Sequence, residues 1–232
     1  MEQSHLLLKK WQKRILFTLW LTYAFMYFGR VNMSVAIPFI EERFGWSTAT
    51  VGTISGVFFW VYAIGQLVNG ILGDRLSARW FVFVGLVGTA LMNLLFGLGG
   101  SFFPMLLFWG FNGVFQSMGW GPILKTASNW TFSQERSKIA GFLSTSFVLG
   151  SLFTWYILGY LLDATGRWRL VFTVPATVLF FLALVWLVII RDHPSQAGLR
   201  IQEEAFQGNE VFRSREKLTN RTNDFPGWGK SY

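Results

Sequence analysis

No cysteine occurs in the 232 residues, and histidine occurs only twice, as His5 and His193. The first absence excludes a disulfide framework, a thiolate metal site and a cysteine nucleophile. The second leaves no metal cluster, because the two imidazoles lie near opposite ends of the chain. Charge is scarce as well: Asp, Glu, Lys and Arg make up 14% of the residues, against about 25% in an ordinary soluble domain. No nucleophile–base pair stands out, and no Gly-rich phosphate loop follows a strand. An enzyme is therefore not expected, and neither is a cofactor. In place of charge the chain has 52% hydrophobic and 19% aromatic residues, with a mean hydropathy of +0.40. That composition points to a membrane. The net charge of +8 could suit nucleic acid, but the Lys and Arg residues sit in tails and short loops, a distribution that membrane topology explains and a duplex does not.

A transmembrane helix needs ~20 mostly apolar residues. Six windows qualify, at about 15–39, 48–72, 80–98, 104–127, 139–162 and 170–190. The expected fold is an all-α membrane domain over 15–190, with an N-terminal tail at 1–14 and a polar, solvated tail at 191–232. The first window follows "KKWQKR", yet it exceeds the ~7–15 apolar residues of a signal peptide and a second span follows closely, so it reads as a retained helix. Lys9, Lys10, Lys13, Arg14, Arg75, Arg79, Arg136 and Lys138 fall on one side, and only Arg43, Arg167 and Arg169 on the other. The excess places both termini on the cytoplasmic side of a cell membrane. A faint repeat is also present: "GILGDRLSARW" and "GYLLDATGRWR" share Gly, Leu and Asp at identical spacing, 89 residues apart. Two three-helix units in opposite orientation would produce it, as in many secondary transporters.

Arg30 lies about fifteen residues into the first window, near the bilayer midplane at a rise of ~1.5 Å per residue. A central arginine costs roughly 2.5–3.5 kcal/mol on insertion scales, and no Asp or Glu lies at comparable depth to offset it. Held by backbone carbonyls it would be structural; facing a cavity it would await an anion. Tyr23, Tyr27, Arg30 and Ser34 share one helical face. Span two carries Ser55, Tyr62, Gln66 and Asn69 at compatible spacing, and span four carries Asn112, Gln116 and Trp120. Singly, such residues are helix-packing glue; together they outline an anion cavity. The loop "GDRLSAR" contains Asp74 and Arg75 at the rim, either as ordinary loop charges or, with Gly70 and Arg79, as a conformational latch. Lys125 reads as a pathway residue or a snorkelling one, and Glu135 with Arg136 as a helix cap.

"GILGDRLSAR" resembles the loop signature between the second and third helices of the major facilitator superfamily. "YFGRVNMSVAIP", "FQSMGWGPILKTASNWTFSQERSKIAG" and "RDHPSQAGL" are similar to the organophosphate:phosphate antiporter family within it, over about residues 11–204. The resemblance implies the N-terminal six-helix half of a twelve-helix fold. It also implies rocker-switch exchange of an organic phosphate, such as a sugar or glycerol phosphate, for inorganic phosphate. Arg30 would bind the phosphoryl group, with Tyr27, Tyr23, Tyr62 and Trp120 lining the site and Gln66 and Gln116 beside them. Two positions depart from the family pattern: Gln66 stands where a lysine is expected, and Phe147 where a histidine is expected. Both losses favour a monoanionic organic acid, such as a sugar acid, moved by proton or sodium symport, as the alternative. The second phosphate-binding arginine belongs to a seventh helix. A second membrane half, from another chain or a second copy, is thus the expected partner beside the lipid bilayer and the anion. An anion sensor that does not transport and an inactive truncated fragment are the remaining readings.

Overall fold

Four of the six apolar windows become single helices and two are interrupted. The computed structural model describes residues 2–199, which fold as α1 (Glu2–Phe28), α2 (Asn32–Phe44), α3 (Thr48–Arg75), α4 (Ala78–Leu98), α5 (Phe102–Gln116), α6 (Trp120–Trp130), α7 (Arg136–Thr165) and α8 (Leu170–Ile189). No strand occurs among the described residues. α3, α4, α8 and the segment Ser133–Thr165 that contains α7 are each long and apolar enough to cross a membrane. The first span is split between α1 and α2 at residues 29–31, and the fourth between α5 and α6 at residues 117–119.

The two breaks have the same local cause. Gly29 and Arg30 bond back three residues instead of four, to Met26 and Tyr27, and Met118 bonds to Phe115. This tightening pinches the helix and turns carbonyls out of its ladder. Glycine leaves room at both places for neighbouring side-chain tips: a Cβ on Gly29 would lie 2.7 Å from Leu179 Cδ1, and one on Gly119 would lie 2.6 Å from Met26 Sδ, so those tips would have to move. The break positions also correspond under the internal repeat, one near the centre of each three-helix unit.

The inverted repeat is visible in the packing. α4 against α8 is the most extensive helix pairing, and α3 against α5 and α1 against α7 follow. The repeat maps the first pair onto itself and exchanges the other two. Both exchanged crossings are backbone-close at equivalent positions. A Cβ on Gly113 would stand 2.7 Å from the Phe58 carbonyl oxygen, and one on Gly150 would stand 2.4 Å from that of Ala24. Small residues at membrane helix crossings allow such approach. On either side of the breaks lies an apolar core. One holds Leu19, Met26, Leu86, Trp130 and Trp186; the other holds Phe58, Phe96, Trp109 and Phe172.

The ends differ from the sequence expectation. Residues 2–14 are the first turns of α1 rather than a separate tail. Trp11 stacks on Trp130 at 6.1 Å, and Gln12 Nε2 donates to the Trp130 carbonyl at 2.7 Å. Residues 191–199 are likewise folded, with Asp192, Pro194 and Leu199 buried; the remainder of the expected tail lies outside the described residues. Glu135 occupies the N-cap position of α7, but its side chain makes no capping bond.

Overpacking a tight crossing typically costs about 1–3 kcal/mol. Gly150→Ala is expected to destabilise the chain by about that amount in detergent thermal unfolding. Gly141→Ala on the same helix, with nothing within 4 Å of the added carbon, is expected to be neutral or to stabilise by up to about 1 kcal/mol.

Candidate anion site

Arg30 leaves the chain inside the first break. Its guanidinium carbon lies 4.0 Å from the centre of the Tyr62 ring, 5.3 Å from Tyr27 and 5.8 Å from Phe58. Aromatic faces attract a cation through their quadrupole. They do so without using the in-plane N–H donors, so the hydrogen-bonding edge of the group stays available. Arg30 has no side-chain hydrogen bond or ion pair among the described residues. The acidic residues there, Glu2, Glu41, Glu42, Asp74, Glu135, Asp163 and Asp192, all lie at helix ends or beyond them.

A continuous chain of contacts surrounds this cation. Gln66, one turn beyond Tyr62 on α3, donates from Nε2 to the Tyr62 hydroxyl at 2.5 Å. That bond occupies an acceptor lone pair of the hydroxyl and leaves its proton free to donate. The Tyr27 ring meets Tyr23 edge-on at 5.5 Å, and Tyr23 lies 4.6 Å from Trp120, the first residue of α6. Phe147 on α7 closes the other side, 6.1 Å from Tyr27. Six of the residues expected at the site, Arg30, Tyr27, Tyr23, Tyr62, Gln66 and Trp120, are therefore brought together, and Phe58 joins them.

Gln116 has a different task. It is buried, and its Nε2 donates to the Met26 carbonyl at 2.9 Å. Asn112 Nδ2 donates to the Gly29 carbonyl at 2.9 Å, and Asn69 Nδ2 to the Ser117 hydroxyl at 2.7 Å. These amides satisfy the backbone and side chains at the two breaks, where no water is available to do so. Two more amides belong to the same set and were not expected. Asn93 donates to the Gly29 carbonyl at 3.1 Å, and Asn32 donates to Asn93 Oδ1 at 2.8 Å. Both are fully buried. The signal was an asparagine inside an apolar window, which alone does not say what it bonds. Ser34 bonds back to Val31 and accepts from Trp155 Nε1 at 3.0 Å, so it is tied to α7. The Ser55 hydroxyl is buried without a partner.

At the end of the bundle that holds the α3–α4 turn, the expected latch residues separate. Asp74 and Arg75 are exposed, and their side chains make no hydrogen bond or ion pair among the described residues. Gly70 has open space where a Cβ would stand. Only Arg79 is engaged, donating from Nε to the Leu187 carbonyl in the last turn of α8 at 3.0 Å. The carboxylate that organises this end is Asp192. It accepts the Arg79 backbone N–H at 2.8 Å and the Ser77 hydroxyl at 2.6 Å. Asp192 thereby caps the N-terminus of α4, whose own N-cap Ser77 makes no side-chain capping bond. Its backbone carbonyl also accepts from Asn129 at 3.0 Å. Lys125 reaches the end of α3, where its ammonium donates to the carbonyls of Gly73, Asp74 and Leu76 at 2.9, 2.8 and 3.1 Å. It neutralises the C-terminal end of α3.

The profile described as the Major Facilitator Superfamily matches residues 19–228. A probable hexose phosphate transport protein of Chlamydia trachomatis is 31% identical over 211 residues, covering 91% of this chain and 46% of that one. The membrane sensor protein UhpC of Escherichia coli is 28% identical over 189 residues, covering 82% and 43%. The glycerol-3-phosphate transporter of Bacillus subtilis is 28% identical over 202 residues, covering 84% and 45%. The chain thus spans a little under half the length of these relatives. Among solved structures, a bacterial homologue of the human lysosomal transporter Spinster in an inward-facing, occupied conformation superimposes with a TM-score of 0.72. It is 19% identical and covers 78% of this chain and 44% of that one, a likeness of fold alone.

A hydrogen bond to a charged acceptor contributes about 1.5–3 kcal/mol, and the two donors to Asp192 are part-buried. Asp192→Ala is expected to lower stability by about that amount in detergent unfolding, while Asp74→Ala is expected to stay within about 0.5 kcal/mol of the parent.

Proposed function

The chain belongs to the major facilitator superfamily, and from that premise we propose that it forms the substrate-anchoring half of a secondary transporter for an organic anion, with an organic phosphate as the favoured substrate. The observation that carries the reading is Arg30. A guanidinium held by aromatic faces in the middle of an apolar bundle, with its donor edge unused among the described residues, is stabilised most by an anion that brings its own charge. Tyr62, its proton freed by Gln66, supplies a second donor beside it. Tyr23, Tyr27 and Trp120 present an apolar wall with polar edges, suited to the carbon skeleton of a small metabolite. Relatives named for hexose phosphate and glycerol-3-phosphate transport support phosphate over carboxylate.

Transport requires a cavity open to each side in turn. A second six-helix unit opposite Arg30 would complete it, and the exposed apolar residues of α3, among them Trp60, Leu67 and Ile71, support such a partner. Exchange against inorganic phosphate is the coupling we favour. The basic residues at the end that holds the α3–α4 turn support a cytoplasmic position for that end in a cell membrane. Asp74, Arg75 and Gly70 are free to act at that rim as the conformational latch. A sensor reading has one specific support, the relative named as a membrane sensor. Binding separates both readings from an inactive protein, and exchange separates transporter from sensor.

Detergent-solubilised chain is expected to bind glucose 6-phosphate or glycerol 3-phosphate more tightly than gluconate. Arg30→Ala is expected to weaken that binding by about 30-fold or more, the equivalent of ~2–3 kcal/mol for a charge-assisted contact; equal binding by parent and variant would overturn the assignment. Gln66→Lys is expected to shift preference toward the doubly charged phosphate by about tenfold, read as the ratio of affinities for a phosphate and a carboxylate ligand. Sealed vesicles holding the chain and its partner half are expected to exchange labelled phosphate for the organic phosphate; binding without exchange would mark a sensor.

A further inference from the structure

On the outer side of the bundle, away from Arg30, α1 and α7 enclose an apolar groove. Ala24 and Gly150 form its floor, with Leu21, Phe25 and Phe28 on one wall and Phe153 and Ile157 on the other. Gly150 lets the two helices touch at this floor, because a Cβ there would run into the Ala24 carbonyl. The two helices run parallel and in register: Trp20 stacks on Phe142 at 6.3 Å and donates from Nε1 to Thr145 at 2.9 Å, while Trp155 reaches Ser34. That register places the start of α7 beside the third and fourth turns of α1.

The groove continues into a basic mouth. Lys10, Arg14, Phe17, Leu21, Phe25 and Phe28 follow each other at three- and four-residue steps and so share one face of α1. On α7, Lys138 stands one turn before Phe142, and Arg136 opens the helix at the level of Arg14. Lys10, Lys13, Arg14, Arg136 and Lys138 are all exposed. Glu135 is the acidic residue among them, so the mouth is strongly positive. From Phe17 to Phe28 the helix rises about 16 Å, close to the ~15 Å of one leaflet's hydrocarbon.

We propose that this groove is a binding site for one anionic phospholipid, its phosphate at the basic mouth and an acyl chain along the groove. Basic pockets between transmembrane helices recognise lipid headgroups in this way. General attraction of a basic protein end to a negative surface would be diffuse and would hold no particular molecule. An apolar slot of leaflet length directly above the charges converts attraction into occupancy. Charge complementarity selects the occupant: a zwitterionic lipid fills the slot but gains little at its mouth.

The test is native mass spectrometry of the delipidated full chain, titrated with dioleoylphosphatidylglycerol or dioleoylphosphatidylcholine. One phosphatidylglycerol is expected to remain bound at activation energies that strip phosphatidylcholine. The Lys10→Gln/Arg14→Gln/Arg136→Gln variant is expected to lower its affinity at least about tenfold. A control with as many charges removed elsewhere, Lys9→Gln/Arg43→Gln/Arg167→Gln, is expected to bind as the parent does. Ile157→Trp, which fills the slot and leaves the charges intact, is expected to reduce binding of the same lipid; it carries the test if the charge variant does not fold. Equal retention of the two lipids, equal loss in variant and control, or a homodimer that retains no lipid would each overturn the proposal.

Discussion

In hydrocarbon, a backbone carbonyl that leaves the helical ladder must be met by another protein group. Much of this bundle is organised around that constraint. The break at residues 29–31 exposes the Gly29 carbonyl, and two amides, from Asn93 on α4 and Asn112 on α5, converge on it. Gln116 meets the Met26 carbonyl one turn earlier. Spans one, three and four are thereby tied together at one depth. The orientation of every amide is set by the donor it must present, which leaves the oxygens of Asn32 and Asn112 without partners.

The fixed break is what positions Arg30. On an unbroken helix a midplane arginine could curl toward backbone or slide along its own face. Here its Cα sits in a pinched turn, and Tyr27, Phe58 and Tyr62 hold the guanidinium by its faces. The charge is stabilised enough to be tolerated and left short of a hydrogen-bonding counterion. The repeat-related break carries no charge; it places Trp120 against Tyr23 instead. Inversion symmetry has produced two similar scaffolds, of which one carries Arg30 and the other brings Trp120 to the Tyr23 ring.

The ends of the bundle obey a simpler rule. Lys125 covers the carbonyls at the end of α3, and Asp192 covers the donors at the start of α4. A cation at a C-terminus and an anion at an N-terminus match the helix dipoles on either side of one short turn. That turn holds Asp74 and Arg75 at its surface, free of partners among the described residues. They are available for contacts outside this unit, whereas Asp192 and Lys125 are committed within it.

Much of this was legible in the sequence because it depends on composition and period. Scarce charge, six apolar windows and an 89-residue echo were enough for an inverted-repeat helical membrane fold, and the face shared by Tyr23, Tyr27 and Arg30 was enough to group the side chains of the candidate site. The polar residues of spans three and four were not separable by period. Gln116 and Trp120 share a helical face in the sequence, yet a break between them sends one to the backbone of α1 and the other to the ring of Tyr23. Asp192 read as part of a solvated tail because nothing local shows that α4 lacks a cap of its own. Hydropathy and periodicity are properties of one segment, so the sequence by itself determined the apolar windows and which charges fall within them. Which carbonyl an amide reaches, and which donors a carboxylate covers, depend on how distant segments cross, and that only the tertiary structure decided.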